Sequence, residues 1–228
     1  MGKNPRRLGE GGYGKAFLNR EGGVVMKFAS SVEVYRTFIL EAMVMKLFAE
    51  YQSGFQRLVG LCPDKLGLVT RYAGLSLAHY VESGKLQTNH KYSILTQLCK
   101  ILSDLHQHGF VHNDVKVQNM CVSVTESGLV LTLIDFGITL LAGCKVGLEA
   151  RWDASLIYAP EICGRNSGVC SSKSDTFSVG KVLRELFKDL PMPPLLKSWY
   201  AKSQSKCPSE RSNLSLLVKA VEDLRLGH

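Results

Sequence analysis

Three closely spaced glycines, Gly9, Gly11 and Gly14, restrict what this chain can fold into more than any other feature. A glycine turn of this kind lets backbone N–H groups approach an anion with no side chain in the way. Such turns also open dinucleotide-binding units, so the residues that follow decide the meaning. A dinucleotide site needs a helix directly after the glycines. Here Lys15-Ala16-Phe17-Leu18 runs into a second turn, Glu21-Gly22-Gly23, and then into the β-branched run Val24-Val25-Met26-Lys27-Phe28. The pattern predicts a β-hairpin beneath the glycines.

The apolar spacing further along predicts a small β-rich part followed by a larger helical one. Ser30 and Ser31 can cap a helix running to about Phe48, with Phe38, Ala42 and Met45 on one face. Residues 57–62 and 67–72 read as strands joined by the turn Pro63-Asp64-Lys65. After Ala73-Gly74, the stripe Ile94, Leu95, Leu98, Ile101, Leu102 and Leu105 predicts a helix ending near His108-Gly109. A loop at 112–119, two short strands, a buried helix over 174–187 and an amphipathic one through Leu214, Leu217, Val218, Val221 and Leu224 complete the reading.

Composition narrows the class. No stretch approaches the roughly 20 apolar residues that span a bilayer, and the first residues lack the apolar segment of a secretory signal. Seven cysteines without a C-x-x-C pair argue against a disulfide framework or structural zinc, and for reduced thiols in an intracellular, cytoplasmic or nuclear protein. The net charge of +8 favours acidic partners. No dense basic run accompanies it, so a solvated basic surface is the reading and nucleic acid is not the expected partner. A monomer is the default.

The chemistry lies in three places. Lys27 sits on an apolar strand and Glu41 within the apolar segment 38–45; Glu41 either pairs with Lys27 or lies on a solvated stripe. The run His112-Asn113-Asp114-Val115-Lys116-Val117-Gln118-Asn119 puts a carboxylate, an ammonium and an amide in one loop. That set suits phosphoryl transfer, with a group to orient and deprotonate a hydroxyl, a cation for the moving phosphate and an oxygen for Mg²⁺. Ile134-Asp135-Phe136-Gly137 adds a second metal-binding carboxylate after a strand. Tyr158-Ala159-Pro160-Glu161 and Asp175-Thr176-Phe177-Ser178-Val179-Gly180 follow.

In this order the motifs resemble the eukaryotic protein kinase family, from Leu8 to about Leu224. The resemblance implies an α+β bilobal fold, with an N-lobe over 1–70, a hinge at 71–75 and a mainly helical C-lobe over 76–228. It implies ATP and Mg²⁺, or Mn²⁺, as cofactors and protein substrates as partners. Leu8, Gly9, Glu10, Gly11, Gly12, Tyr13, Gly14 and Ala16 would cover the nucleotide. Val25 would pack on adenine, and Lys27, paired with Glu41, would hold the phosphates. Thr70 falls at the gatekeeper position, and Arg71, Tyr72 and Ala73 at the hinge. Asp114 would be the catalytic base with Lys116 near the γ-phosphate, and Asn119 and Asp135 would hold metal. Glu161 would pair with Arg211, and Met45, Leu61, His112 and Phe136 would stack as an apolar column. Lys116 two residues after Asp114, and Ser155 three before Tyr158, match Ser/Thr rather than Tyr kinases.

The chain also departs from the pattern. Ala16 and Val25 exchange the family's usual Val and Ala, a swap that could conserve pocket volume. Asn113 replaces the Arg that usually meets an activation-loop phosphate, which predicts activity without such a phosphate. Tyr158 directly precedes Ala159, one residue fewer than usual. Only 36 positions separate Asp175 from Arg211, so the region reads as a minimal kinase with trimmed helices. The alternatives are a nucleotide-binding pseudokinase scaffold and a small-molecule kinase; the segment Ala159-Pro160-Glu161 with Arg211 argues against the second.

Overall fold

A computed structural model describes residues 5–11, 14–51, 54–126, 128–148, 153, 156–164 and 168–227. Gly12 and Tyr13 of the glycine turn, and Ser155, lie outside the described residues. The glycine turn joins β1 (Arg6–Gly11) to β2 (Gly14–Asn19), which pairs antiparallel with β3 (Val24–Ala29). The hairpin expected from the sequence is present, with a strand where a dinucleotide unit would have a helix. Ser31 then caps α1 (Val32–Leu47) by accepting the Val34 N–H at 3.3 Å. Phe38, Ala42 and Met45 are buried on its inner face.

β4 (Gly54–Phe55), β5 (Leu58–Cys62) and β6 (Gly67–Arg71) follow, and the first sheet runs β1-β2-β3-β6-β5. β7 (Leu75–Ser76), α2 (Leu77–Glu82) and α3 (Thr88–Gln107) begin the second lobe. The predicted apolar stripe of α3 is buried along its length, and the helix gives way at His108 to Gly109, which sits at φ +79°. β8 (Phe110–Val111), β9 (Met120–Thr125), β10 (Gly128–Leu133) and β11 (Leu140–Leu141) supply a sheet of order β4-β10-β9-β7 and a β11-β8 pair. α4 (Ser172–Leu186), α5 (Pro194–Ser203) and α6 (Leu214–Leu226) complete the helical lobe. The architecture is α+β and bilobal. Between α4 and Arg211 the described residues contain one α-helix, the ten-residue α5.

One apolar core runs through both lobes, and its aromatic centre corrects part of the sequence reading. Phe136 lies 5.3 Å from His112 and 6.2 Å from Phe55, which stacks at 4.4 Å on Phe48. Met45 is buried beside them in this core, but Leu61 is 38% exposed. Leu61 belongs to β5, the edge strand of the first sheet, where the register slips between Leu58 and Gly60. Burial alternates along β5, so Leu61 shares the outward face with the exposed Val59, and Phe55 from the two-residue β4 stands in the column instead.

Candidate active site

The strand-borne Lys27 settles the alternatives for Glu41. Lys27 lies opposite Ala16 on β2 and Leu68 on β6. Its Nζ donates to Glu41 Oε1 at 2.8 Å and stands 3.8 Å from Asp135 Oδ1. Glu41 is buried on α1 rather than solvated. Burial pushes the Glu41 carboxyl up, and Lys27 offsets only part of that. Burial also pushes the Lys27 ammonium down, but Glu41 and then Asp135 outweigh it and leave it raised. The pair therefore locks α1 to the sheet and holds a cation next to Asp135.

Beside this pair the facing ends of β1 and β2 border a cavity of about 180 Å³, lined by Gly9, Glu10, Gly11, Gly14, Lys15, Ala16, Lys27, Phe38 and Asp135. Gly14 is required by the protein itself: at φ +125° a Cβ would stand 2.0 Å from the Phe28 carbonyl oxygen. Gly9 and Gly11 differ, because a Cβ on either would meet nothing within 4 Å. Their bareness leaves room for something outside the chain, as a phosphate cradle does.

The expected adenine end is less enclosed. Leu8 is exposed on β1, and Leu8, Val25, Thr70, Tyr72 and Ala73 do not line that cavity. Thr70 is buried and its Oγ1 accepts from Gln56 Nε2 at 2.9 Å, while the Tyr72 N–H donates to the Gly23 carbonyl at 2.9 Å. Tyr72 and Ala73 also line a groove behind the connector with Arg57 and Arg71. Ala16 and Val25 share one face: Ala16 pairs with Lys27, and Val25 is two residues along the same strand. That diagonal placement on one face is what a volume exchange between the two requires. Val25→Ala alone is expected to weaken ATP binding severalfold, and the added Ala16→Val to restore it. Calorimetric titration checks this, and additive losses would contradict it.

Asp114 collects the loop. Lys116 Nζ donates to its Oδ1 and Oδ2 at 3.0 and 2.8 Å, and Asn119 Nδ2 to its Oδ2 at 2.6 Å and its carbonyl oxygen at 3.0 Å. Tyr158, from far downstream, donates its hydroxyl to Asp114 Oδ1 at 3.1 Å. With the Asn119 nitrogen committed to Asp114, its Oδ1 is the atom suited to a cation. Asp135, at φ +66° and with a 31% exposed side chain, offers a second oxygen beside Lys27. Among the described residues no cluster of three His, Cys, Asp or Glu forms a metal cage. An open pair of hard oxygen donors fits a cation that keeps waters and phosphate oxygens, as Mg²⁺ does.

The loop is held from below by a buried carboxylate whose role the sequence did not reveal. Asp175 accepts from His106 Nε2 at 2.8 Å, from the His112 N–H at 2.9 Å and from the Asn113 N–H at 2.9 Å. Burial acts to raise its carboxyl, but the His106 hydrogen bond and charge, with His112, keep it below the usual carboxylate range. His112 in turn accepts the Asp114 N–H on Nδ1 at 3.1 Å, which leaves Nε2 to donate to the Ile134 carbonyl at 3.3 Å.

Asn113 sits at φ +66°, a conformation Asn tolerates better than most residues. Its Nδ2 donates to the carbonyls of Val111 and Ile138, each at 3.1 Å. The chain just after Asp135-Phe136-Gly137 is thus tied to the loop by a neutral amide. Asn113→Ala is expected to cost about 1–3 kcal/mol through the lost bonds and the left-handed backbone, and to speed amide exchange around Ile138. Unchanged exchange there would contradict the tie.

Farther out, Arg211 grips Glu161 through two parallel bonds of 2.7 Å, and Ser174 Oγ donates to the same carboxylate at 2.9 Å. All seven cysteines are free thiols, and burial pushes Cys99 to about 12 and Cys121 to about 11. Among the described residues no helix is long and apolar enough to cross a membrane.

Comparison with known proteins agrees with this geometry. The family model for the protein kinase domain matches residues 3–211. The chain is 25% identical to CBL-interacting serine/threonine-protein kinase 2 of Arabidopsis thaliana, over 90% of this chain and 48% of that one. It is 26% identical to serine/threonine-protein kinase pkn2 of Myxococcus xanthus, over 89% of this chain and 26% of the relative. A third relative, serine/threonine-protein kinase 1 of African swine fever virus, is 26% identical over 58% of this chain and 44% of its own length. The chain belongs to the protein kinase family, whose members use ATP and a divalent metal. It spans about half or less of the length of these relatives.

Proposed function

We propose that the chain transfers the γ-phosphoryl group of ATP to Ser and Thr hydroxyls of proteins, with Mg²⁺ as the preferred cation and Mn²⁺ as a substitute. The observation that carries this reading is the Asp114 carboxylate held by Lys116 and Asn119. It sits in the same loop that Asp175 fixes beside Phe136 and, through it, Asp135.

Backbone N–H groups of the glycine turn and Lys27 would bind the phosphates, and Glu41 would keep Lys27 in place. Asp114 would orient the acceptor hydroxyl and take its proton, and Lys116 would move from Asp114 to the transferring phosphoryl group. Asn119 Oδ1 and Asp135 would hold the metal. A cation held there would supply positive charge to offset that of the phosphates. Thr70, Tyr72, Ala73, Val25 and Leu8 would meet the base and ribose end. The tie from Asn113 to Ile138 supports activity without an activation-loop phosphate, since a neutral amide already makes the link that an Arg–phosphate pair would make.

Incubation with Mg·ATP and a degenerate peptide library, followed by phosphoamino-acid analysis, tests the reading. Phosphoserine and phosphothreonine are expected, from phosphatase-treated enzyme as from untreated. Nucleotide binding with no transfer would establish the scaffold alternative instead.

A further inference from the structure

Lys91 interrupts the buried face of α3 with a charge. It stands four residues before Leu95, where an aliphatic side chain would close the core at no electrostatic cost. The residue is 6% exposed, yet among the described residues its ammonium makes no hydrogen bond or ion pair. It lies 5.1 Å from the centre of the Phe187 ring, a contact that offsets only part of the lost hydration. Burial pushes the ammonium down, and Asp189 opposes that shift. Lys91, Glu185 and Asp189 border one cavity of about 190 Å³ between α2, α3 and the end of α4. Neither carboxylate closes onto Lys91, and neither has a side-chain partner among the described residues. Leu86, Leu186 and Leu190 give the same cavity an apolar wall.

A cation and two carboxylates held apart around one small cavity call for a ligand that carries both charges. We propose that this cavity binds a free aliphatic α-amino acid of the size of leucine. The ligand's carboxylate meets Lys91, its ammonium meets Asp189 and Glu185, and its side chain lies against the three leucines. A simple anion would be repelled by the two carboxylates, and a simple cation would leave Lys91 buried and unpaired. The volume lies below that of drug-sized pockets, which fits one small molecule rather than a peptide segment. None of the bordering residues belongs to the transfer machinery, so the site stands independently of that chemistry.

Calorimetric titration of the full chain with leucine tests this, alongside 4-methylpentanoate, which lacks the amine, and 3-methylbutylamine, which lacks the carboxylate. Leucine is expected to bind saturably and to raise the unfolding temperature, with each partial ligand at least about tenfold weaker. Lys91→Met should cut leucine affinity about a hundredfold, yet unfold at or above the wild-type temperature, because it replaces a buried unpaired charge by an apolar chain of similar volume. Glu185→Gln combined with Asp189→Asn leaves Lys91 in place and should erase the preference for leucine over 4-methylpentanoate. A wild-type chain that shows no saturable leucine binding would overturn the proposal. Wild-type binding of 4-methylpentanoate as tight as that of leucine would overturn it by showing an anion site, and so would undiminished leucine binding by Lys91→Met.

Discussion

Asp114→Asn is expected to slow phosphoryl transfer to peptide by about 10²–10⁴-fold, the range over which general-base catalysis contributes. The change keeps the shape of the side chain but removes the negative charge and one acceptor oxygen. The new amide would face donors on every side, since Lys116, Asn119 and Tyr158 all point hydrogens at this carboxylate. Lys116 would then have no anion to rest on, and the acceptor hydroxyl no base. The loss corresponds to about 3–5 kcal/mol of transition-state stabilisation. Nucleotide affinity should stay within about threefold of wild type, because Asp114 lies outside the cavity bordered by β1 and β2, so the loss falls on kcat. Steady-state kinetics with a titration of ATP separates the two. A matching loss of ATP affinity would place Asp114 in nucleotide binding instead.

Arg211→Ala is expected to destabilise the fold by about 3–5 kcal/mol, the cost of breaking a buried pair from one side. Arg211 is 2% exposed. Besides its two bonds to Glu161, it donates to the carbonyls of Ser205 and Lys173, each at 2.8 Å, and its guanidinium lies 5.1 Å from the Phe177 ring centre. Truncation would strip all of these at once, taking this donor from the Ser205 and Lys173 carbonyls and leaving Glu161 with the Ser174 hydroxyl. Arg211→Lys should recover little, since an ammonium cannot make the planar two-point grip. Urea unfolding followed by fluorescence reads the difference. A loss below about 1 kcal/mol would show the bridge to be no stronger than a surface pair.

The parts of this molecule legible in the sequence are those written in local patterns. The hairpin under Gly9 and Gly14, the Ser31-capped α1 and the buried stripe of α3 follow from turn chemistry and apolar periodicity. The linear motifs around Asp114 and Asp135 likewise announce their chemistry by residue type. What stayed hidden depends on chain segments that meet only in three dimensions. Asp175 reaches back to residues 106, 112 and 113 from α4, and an Asp early in a helix gives no sign of that reach. β4 is two residues long, too short to show a period, so Phe55 could not be placed beside Phe136 and Leu61 was expected there instead. The hydroxyl of Tyr158 on Asp114 depends on how the chain returns before α4. Asn113 was visible as a departure, but its bond to Ile138 was not.

In the proposed reaction Lys27, Asp114, Asn119 and Asp135 act together on one triphosphate and one hydroxyl. The most direct measurement is a single-turnover reaction, with enzyme in excess over γ-labelled ATP and a Ser/Thr peptide present. The label should pass to peptide hydroxyls when Mg²⁺ is present, and stay in ATP when it is chelated or when Asp135 is replaced by Asn. Bound ATP that remains intact with the wild-type chain, Mg²⁺ and peptide all present would contradict the claim.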